Sequence, residues 1–325
     1  MEEFRDLMLD VQVSKHHAFA KGTYSNLHTQ FRTYFAYCVY FQRKPLPASS
    51  ETICGYAQFL SRAILPSSVK NYLSGVKTLH FLLGHEYQFS DDFHLQLLLR
   101  GISRLNPHVP RRAKPVTPDI LKKIYQRMDR DSSLQRATWA CSLTLFYTMS
   151  RLGSVLPASC KAVNTHSFLT RDRVNFCKEG LLVTFLQTKT IQFGRRRLHI
   201  PLLKLNSLLC PVEAFTRARS VLPHDDYIPA FVFVEDGEVK WLTKDLFIRS
   251  FRSMAADAGL EHPSLFTGHS FRRGGATWAF QAGVPGELIQ ISGDWASDAY
   301  KQYLEFSMSN RISLAALFCK KLPKY

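Results

Sequence analysis

The 325-residue chain carries 42 Lys and Arg against 26 Asp and Glu, a formal charge of +16, and is 46% hydrophobic and 13% aromatic. That apolar content excludes a disordered chain and suffices for two domains of ordinary size. So large a basic excess predicts a polyanionic partner, nucleic acid before an anionic membrane.

No run of about 18 apolar residues is present, and the opening MEEFRDLMLD is acidic where a signal peptide is basic and then apolar. The expectation is a soluble, intracellular protein. The seven cysteines (Cys38, Cys54, Cys141, Cys160, Cys177, Cys210, Cys319) are odd in number and form no C-x-x-C pair. They are read as reduced core thiols, with neither a zinc site nor a disulfide framework.

In chain order, the apolar period first predicts a helix from Thr23 to Phe41, with Leu27, Phe31, Tyr34, Phe35, Cys38 and Phe41 on one stripe and Thr23 or Ser25 as cap. Ser50 and Glu51 open a second helix through Tyr56, Phe59 and Leu60. A third, after LPSS, buries Val69, Leu73, Val76, Leu79, Phe81 and Leu82 while Lys70, Asn71 and Lys77 face out; Phe93 to Leu105 forms a fourth. Singly, Lys70, Lys77 and Arg100 read as a solvated face; with the net charge, they suggest helices that face DNA.

The stretch SRLNPHVPRRAKPVTPD, with four prolines and Arg104, Arg111, Arg112 and Lys114, marks a stiff basic linker and a domain boundary near residue 112. Its charges suit a chain that crosses a phosphate backbone.

Beyond the linker, Thr117 caps a helix that begins at Pro118 and runs to Met128. Leu134 to Met149 is apolar all round and reads as a buried helix, from whose end Arg151 emerges in SRLGSVL; a charge placed there must find a partner. The period then changes to that of strands, LLVTFLQTKT and RRRLHIP, joined around Gln192 to Gly194. Lys189 ends the first of these, and Arg195, Arg196 and Arg197 begin the second as further candidate DNA contacts. Cys210 to Leu222 and Leu242 to Leu260 read as helices, the latter with a stop signal at Gly259. Between them lies a hairpin that turns at Asp236-Gly237.

Gly268 to Leu304 concentrates the polar chemistry: His269 and Arg272 opening a helix, Trp295 in GDW, then Tyr300 and Tyr303. Arg151, Lys189, His269, Arg272, Trp295 and Tyr303 occur in the order used by tyrosine recombinases, and the chain resembles that phage-integrase family over nearly its whole length. The wording TKTIQFG, HSFRRGGAT and GDWASDAYKQYL is most similar to recombinases of eukaryotic DIRS, Ngaro and Crypton transposons.

The resemblance implies a mainly helical fold with a small sheet: a SAM-like core-binding domain over residues 1–112 and an α+β catalytic domain over 113–325, with a tail from about residue 311. It also implies a chemistry. Two guanidinium forks, Arg151 and Arg272, would clamp the scissile phosphate, whose developing charge suits planar bidentate donors. Tyr303 would attack to give a phosphotyrosyl ester, Lys189 would protonate the leaving 5′-oxygen, and His269 would assist proton transfer at the tyrosine. Trp295 stands where many members carry His, its indole N–H still a donor.

No carboxylate cluster is needed, so neither metal nor cofactor is expected. Ser154 stands where members commonly carry an acid. Tyr300 is assigned to packing, and Gly274, Gly275 and Ala276 to close helix packing behind the site.

Double-stranded DNA is the implied partner, with a homotetramer on two sites, no membrane association and a nuclear location. Two other readings stay open: a host-adopted, catalytically silent DNA-binding protein, and a type IB topoisomerase-like relaxing enzyme. The tail stripe Ile312, Leu314, Leu317 and Phe318 either packs on its own domain or docks on a neighbouring protomer.

Overall fold

A computed structural model describes the chain apart from Met1 and residues 108–112, 163, 192–195, 220–227, 305–307, 309–310, 313–314, 317–318 and 320–325. The chain divides into two compact units, Met1–Arg111 and Arg112–Tyr325.

The first unit is helical: α1 (Glu2–His16), α2 (Lys21–Tyr40), α3 (Ser50–Ser61), α4 (Pro66–Leu82) and α5 (Phe93–Leu105). Its core gathers Tyr34, Cys38, Ile53, Tyr56, Leu60, Val69, Leu73, Val76, Leu79 and Ile102. Tyr34 packs edge-on against Tyr56 at 5.1 Å between ring centres. Side-chain caps set two starts: Ser49 accepts the Thr52 N–H, and Asp92 the Leu95 N–H.

His80 is buried in α4, with Nδ1 at 2.8 Å from the Val76 carbonyl and Nε2 accepting the Ala48 N–H at 3.0 Å. It locks the chain between α2 and α3 against α4. Burial lowers its pKa, which keeps it neutral for that role.

Several expectations are corrected here. Helix α1 is absent from the sequence reading. Helix α2 begins after Ala20, which offers no side-chain cap, and not at Thr23 or Ser25. Phe35 and Phe41 are exposed, as are Phe81 and Leu82 on the last turn of α4, where the helix has run past the core. Of the cysteines only Cys38, Cys141 and Cys210 are buried and Cys54 is partly so. Cys160, Cys177 and Cys319 are exposed.

The second unit is built on α7 (Ser133–Thr148), in which Ala137 to Phe146 is buried without interruption. Around it stand α6 (Pro118–Arg127), the single turn α8 (Leu152–Val155), α9 (Pro211–Arg219), α10 (Lys244–Asp257), α11 (Gly268–Gln281) and α12 (Gly286–Ser292). Thr117 caps α6, with Pro118 at its first position, as the sequence predicts.

Three antiparallel strands, β1 (Val174–Cys177), β2 (Gly180–Phe185) and β3 (Leu198–Leu203), pair in that order, with Val183 opposite Val174 on one side and Ile200 on the other. The sequence reading has only two strands and makes them longer. In the structure β2 ends at Phe185 and β3 starts at Leu198, so Lys189 belongs to the connection and not to a strand.

A second hairpin, β4 (Val232–Glu235) and β5 (Glu238–Trp241), turns at Asp236 and Gly237, both at positive φ (54° and 79°), as an Asp-Gly turn requires. The core residues from α6, α7, α9, α10, β2, β3 and β4 form one cluster. A smaller one gathers Met149, Ala276, Ile289, Trp295 and Tyr300, with Tyr303 packed against it.

Candidate active site

The site starts from a helix end. Met149 closes α7 in the left-handed conformation, φ 49°, and the chain leaves through Ser150 to Arg151, the residue before α8. A helix C-terminus presents unpaired carbonyls. Arg272, 123 residues later on α11, donates from Nη1 to the Met149 carbonyl. The two arginines are thus tied to one piece of backbone.

Close packing makes this possible. A Cβ on Gly274 would collide with the Val116 carbonyl, and one on Gly275 with the Phe146 carbonyl. The glycines let α11 touch neighbouring backbone, as the small-residue run predicts. The helix starts with a reciprocal cap: the Thr267 hydroxyl accepts the His269 N–H at 3.2 Å, and Ser270 Oγ accepts the Thr267 N–H at 2.9 Å. This fixes His269 on the first turn.

Arg272 is only 2% exposed, and its guanidinium carbon lies 3.7 Å from the centre of the Trp295 ring. Such a contact is a cation–π attraction that holds the guanidinium at the indole face. Its Nη2 makes no hydrogen bond among the described residues. Burial, then the charge of Arg151, pushes its pKa down to about 9, while Tyr303 and Asp294 act the other way. It still carries its proton at neutral pH. A buried cation with an unspent donor is costly unless an anion comes to it.

Arg151, Lys189 and His269 line one cleft of about 520 Å³, together with Ser154, Ser167, Gln187, Thr188 and Gly268. His269 has its pKa lowered by desolvation and then by Arg272, Arg151 and Lys189, so the neutral ring is favoured. Its position, with charge partners on three separate elements, brings the sequence-predicted cations into one electrostatic field.

Tyr303 ends a 3-10 turn, Asp298–Tyr303, and its carbonyl accepts the Thr277 hydroxyl at 2.6 Å, which pins it to α11. Its ring is 5.9 Å from that of Trp295. Tyr300, one turn earlier, is 5% exposed and packs in the small cluster, 6.1 Å from Trp295; Tyr303 is half-buried at the edge. The two tyrosines therefore differ in environment, and the outer one is Tyr303.

The described residues singled out as DNA contacts fall in both units. Lys70 and Arg104 are exposed on α4 and α5. Lys77 donates to Ser90 Oγ at 2.9 Å and lies over Phe81. Lys114 reaches the Glu261 carbonyl at 3.4 Å, and Arg197 is exposed. Arg196 is bonded to Asp294. Arg111, Arg112 and Arg195 lie outside the described residues, as does most of the tail, where Ile312 is described and exposed.

Asp294 itself is the residue that the sequence reading missed. It is 6% exposed, sits in the left-handed region at φ 55°, and accepts hydrogen bonds from the two threonines flanking Lys189. Its only sequence signal is its place in GDW beside Trp295. Among the described residues no group of three or more metal-ligating side chains occurs, and no helix is long and apolar enough to cross a membrane.

No protein-family model matches the chain, and no curated protein matches it. Solved structures do match. The Tn1549 transposon integrase in complex with transposon right-end DNA is 13% identical, with a TM-score of 0.61 over 95% of this chain and 98% of that one. The XerH site-specific recombinase in a post-cleavage complex with its difH substrate is 14% identical, TM-score 0.59, over 89% and 77%. A lambda integrase dimer bound to a core site is 16% identical, TM-score 0.57, over 94% and 95%. At these identities the likeness establishes the fold: mainly helical with small antiparallel sheets, the fold of tyrosine recombinases and integrases.

Proposed function

We propose that this protein is a site-specific DNA recombinase or transposase that cuts and rejoins strands through a covalent 3′-phosphotyrosyl intermediate. The observation that carries the reading is Arg272: a buried guanidinium held by Met149 and Trp295, with Nη2 unspent, beside a cleft lined by Arg151, Lys189 and His269. A phosphodiester supplies the anion that this arrangement lacks. The structural neighbours are DNA-bound recombinases and integrases, which supports double-stranded DNA as the partner.

In the proposed step the Tyr303 oxygen attacks phosphorus while the bond to the leaving 5′-oxygen breaks. His269, held neutral by its surroundings, accepts the phenol proton, and Lys189 gives a proton to the 5′-oxygen. Charge on the phosphate grows between Arg151 and Arg272. The ester energy is conserved, so attack by a free 5′-hydroxyl reverses the step without ATP, and no metal takes part.

The biological setting we propose is excision or integration of an element of the DIRS, Ngaro or Crypton kind in a eukaryotic nucleus. A homotetramer on two sites would carry it out, with DNA contacts from both units. Lys70, Lys77, Arg104, Arg111, Arg112, Lys114, Arg195, Arg196 and Arg197 are the proposed backbone contacts.

Incubation with a plasmid bearing two copies of the element's joined ends tests the reading. Deletion or inversion between the copies is the expected product. Supercoil relaxation of any plasmid without exchange would instead indicate a type IB topoisomerase-like enzyme, and binding without cleavage a silent DNA-binding protein.

A further inference from the structure

Asp294 is a buried carboxylate that no step of the proposed reaction uses. Its Oδ2 accepts the Thr188 hydroxyl at 2.6 Å and also the Thr190 hydroxyl, its Oδ1 accepts Arg196 Nη2, and its backbone carbonyl takes a second contact from Thr190 Oγ1 at 3.2 Å. With 5% of the side chain exposed, the carboxylate meets donors on both oxygens and little water.

All these partners come from the connection between β2 and β3, about a hundred residues away in sequence, and they bracket Lys189 on both sides. Within that connection the Thr188 hydroxyl accepts the Thr190 and Ile191 N–H groups at 3.2 and 3.0 Å, and Thr188 N–H reaches the Ile191 carbonyl at 3.1 Å. On its other side Asp294 precedes Trp295, whose ring carries Arg272 and neighbours Tyr303. One residue therefore joins the segment bearing the proposed general acid to the segment bearing the phosphate clamp and the nucleophile.

We infer that Asp294 is a positioning residue that fixes Lys189 over the leaving 5′-oxygen by holding Thr188 and Thr190. The inference rests on the recombinase reading above. A proton donor must meet its acceptor at hydrogen-bond distance, and displacement by about 1 Å costs on the order of 10²-fold in rate. Three donors converging on one desolvated carboxylate are suited to that tolerance. Asn at this position retains size and the left-handed backbone, but its amide nitrogen cannot accept, so at least one of the three side-chain donors loses its partner.

The test uses the full chain and two nicked suicide duplexes, identical except that in one the scissile 5′-bridging oxygen is sulfur. A thiolate leaves without being protonated, so a defect in the general acid disappears on sulfur while a defect in the clamp remains. Lys189→Ala sets the reference for an acid defect and Arg272→Ala that for a clamp defect.

Asp294→Asn is expected to be slowed about 10²-fold on oxygen, to cleave the sulfur substrate close to the wild-type rate, and to add no further loss on oxygen in the Lys189→Ala background. Thr190→Val, which leaves the carboxylate and Arg196 in place, is expected to follow the same pattern and covers the case in which Asp294→Asn does not fold. Equal slowing on oxygen and sulfur, or an unchanged rate on oxygen, would overturn the role of Asp294 alone. Wild-type protein that cleaves neither duplex would refute the recombinase reading and this inference with it.

Discussion

The guanidinium of Arg272 lies over the ring of Trp295, with its central carbon 3.7 Å from the ring centre, while its Nη1 holds the Met149 carbonyl. Stack and carbonyl together leave one edge of the fork for an anion. The indole thus has a second part beyond the N–H donation that the family resemblance implies: its face packs against the arginine.

Substitutions at Trp295 separate the two. Trp295→Phe keeps a ring under Arg272 and removes the N–H; a modest loss of cleavage with near-wild-type stability is expected. Trp295→Ala empties a site that is 7% exposed, and the loss should be about 3–5 kcal/mol of stability. Urea unfolding alongside single-turnover cleavage measures both. If Trp295→Phe abolished cleavage, N–H donation would outweigh the stack.

The glycines of α11 make a sharper structural prediction. Gly275→Ala drives a methyl into the Phe146 carbonyl, and Gly274→Ala one into that of Val116. Either should destabilise the second unit by about 1–3 kcal/mol or more, since backbone cannot yield as a side chain can. Gly22→Ala in α2, with nothing within 4 Å, is the control and should not lower the melting temperature, since alanine is the better helix former. Comparable melting temperatures for all three would contradict the packing described.

How much of this was legible in the residues depends on how far the signal travels along the chain. Helix α5 matches the predicted Phe93–Leu105, and α7 stands out as apolar all round, because propensity, caps and period are local. The Asp-Gly turn was read for the same reason. Helix α2 was misplaced at its start because Ala20 carries no capping group to read.

Strand β1 escaped because only Val174 of its four residues is buried, which leaves no alternation. Phe81 and Leu82 keep the apolar rhythm of α4 but fall past the point where α3 and α5 cover it, a fact of tertiary geometry. Asp294 was invisible for a stronger reason: its meaning lies in partners 98 to 106 residues away. The order of six residues was readable as a resemblance. The stack, the carbonyl anchor and the carboxylate that joins them were not.

His269 gives a prediction in pH. Desolvation and then the cations Arg272, Arg151 and Lys189 depress its pKa. A base whose folded pKa is lowered remains neutral as pH falls through about 6.5, the ordinary histidine value, and the native state loses stability there because the unfolded chain takes up the proton more readily. In the free protein its ring resonance, assigned by loss in His269→Gln, should titrate below that value. Arg151→Gln removes one positive neighbour and should move the midpoint up. A midpoint at the ordinary value that ignores Arg151 would contradict the shared field of the site.

The two tyrosines test the central claim most directly. Wild type, Tyr300→Phe and Tyr303→Phe are incubated in EDTA with nicked duplex from the ends of the element, and the products are run on denaturing gels. Wild type and Tyr300→Phe should yield a protein–DNA adduct, since Tyr300→Phe keeps the ring that packs in the small cluster, and Tyr303→Phe should yield none. An adduct that persists in Tyr303→Phe, or one that forms only when a divalent metal is supplied, would contradict Tyr303 as a metal-independent nucleophile.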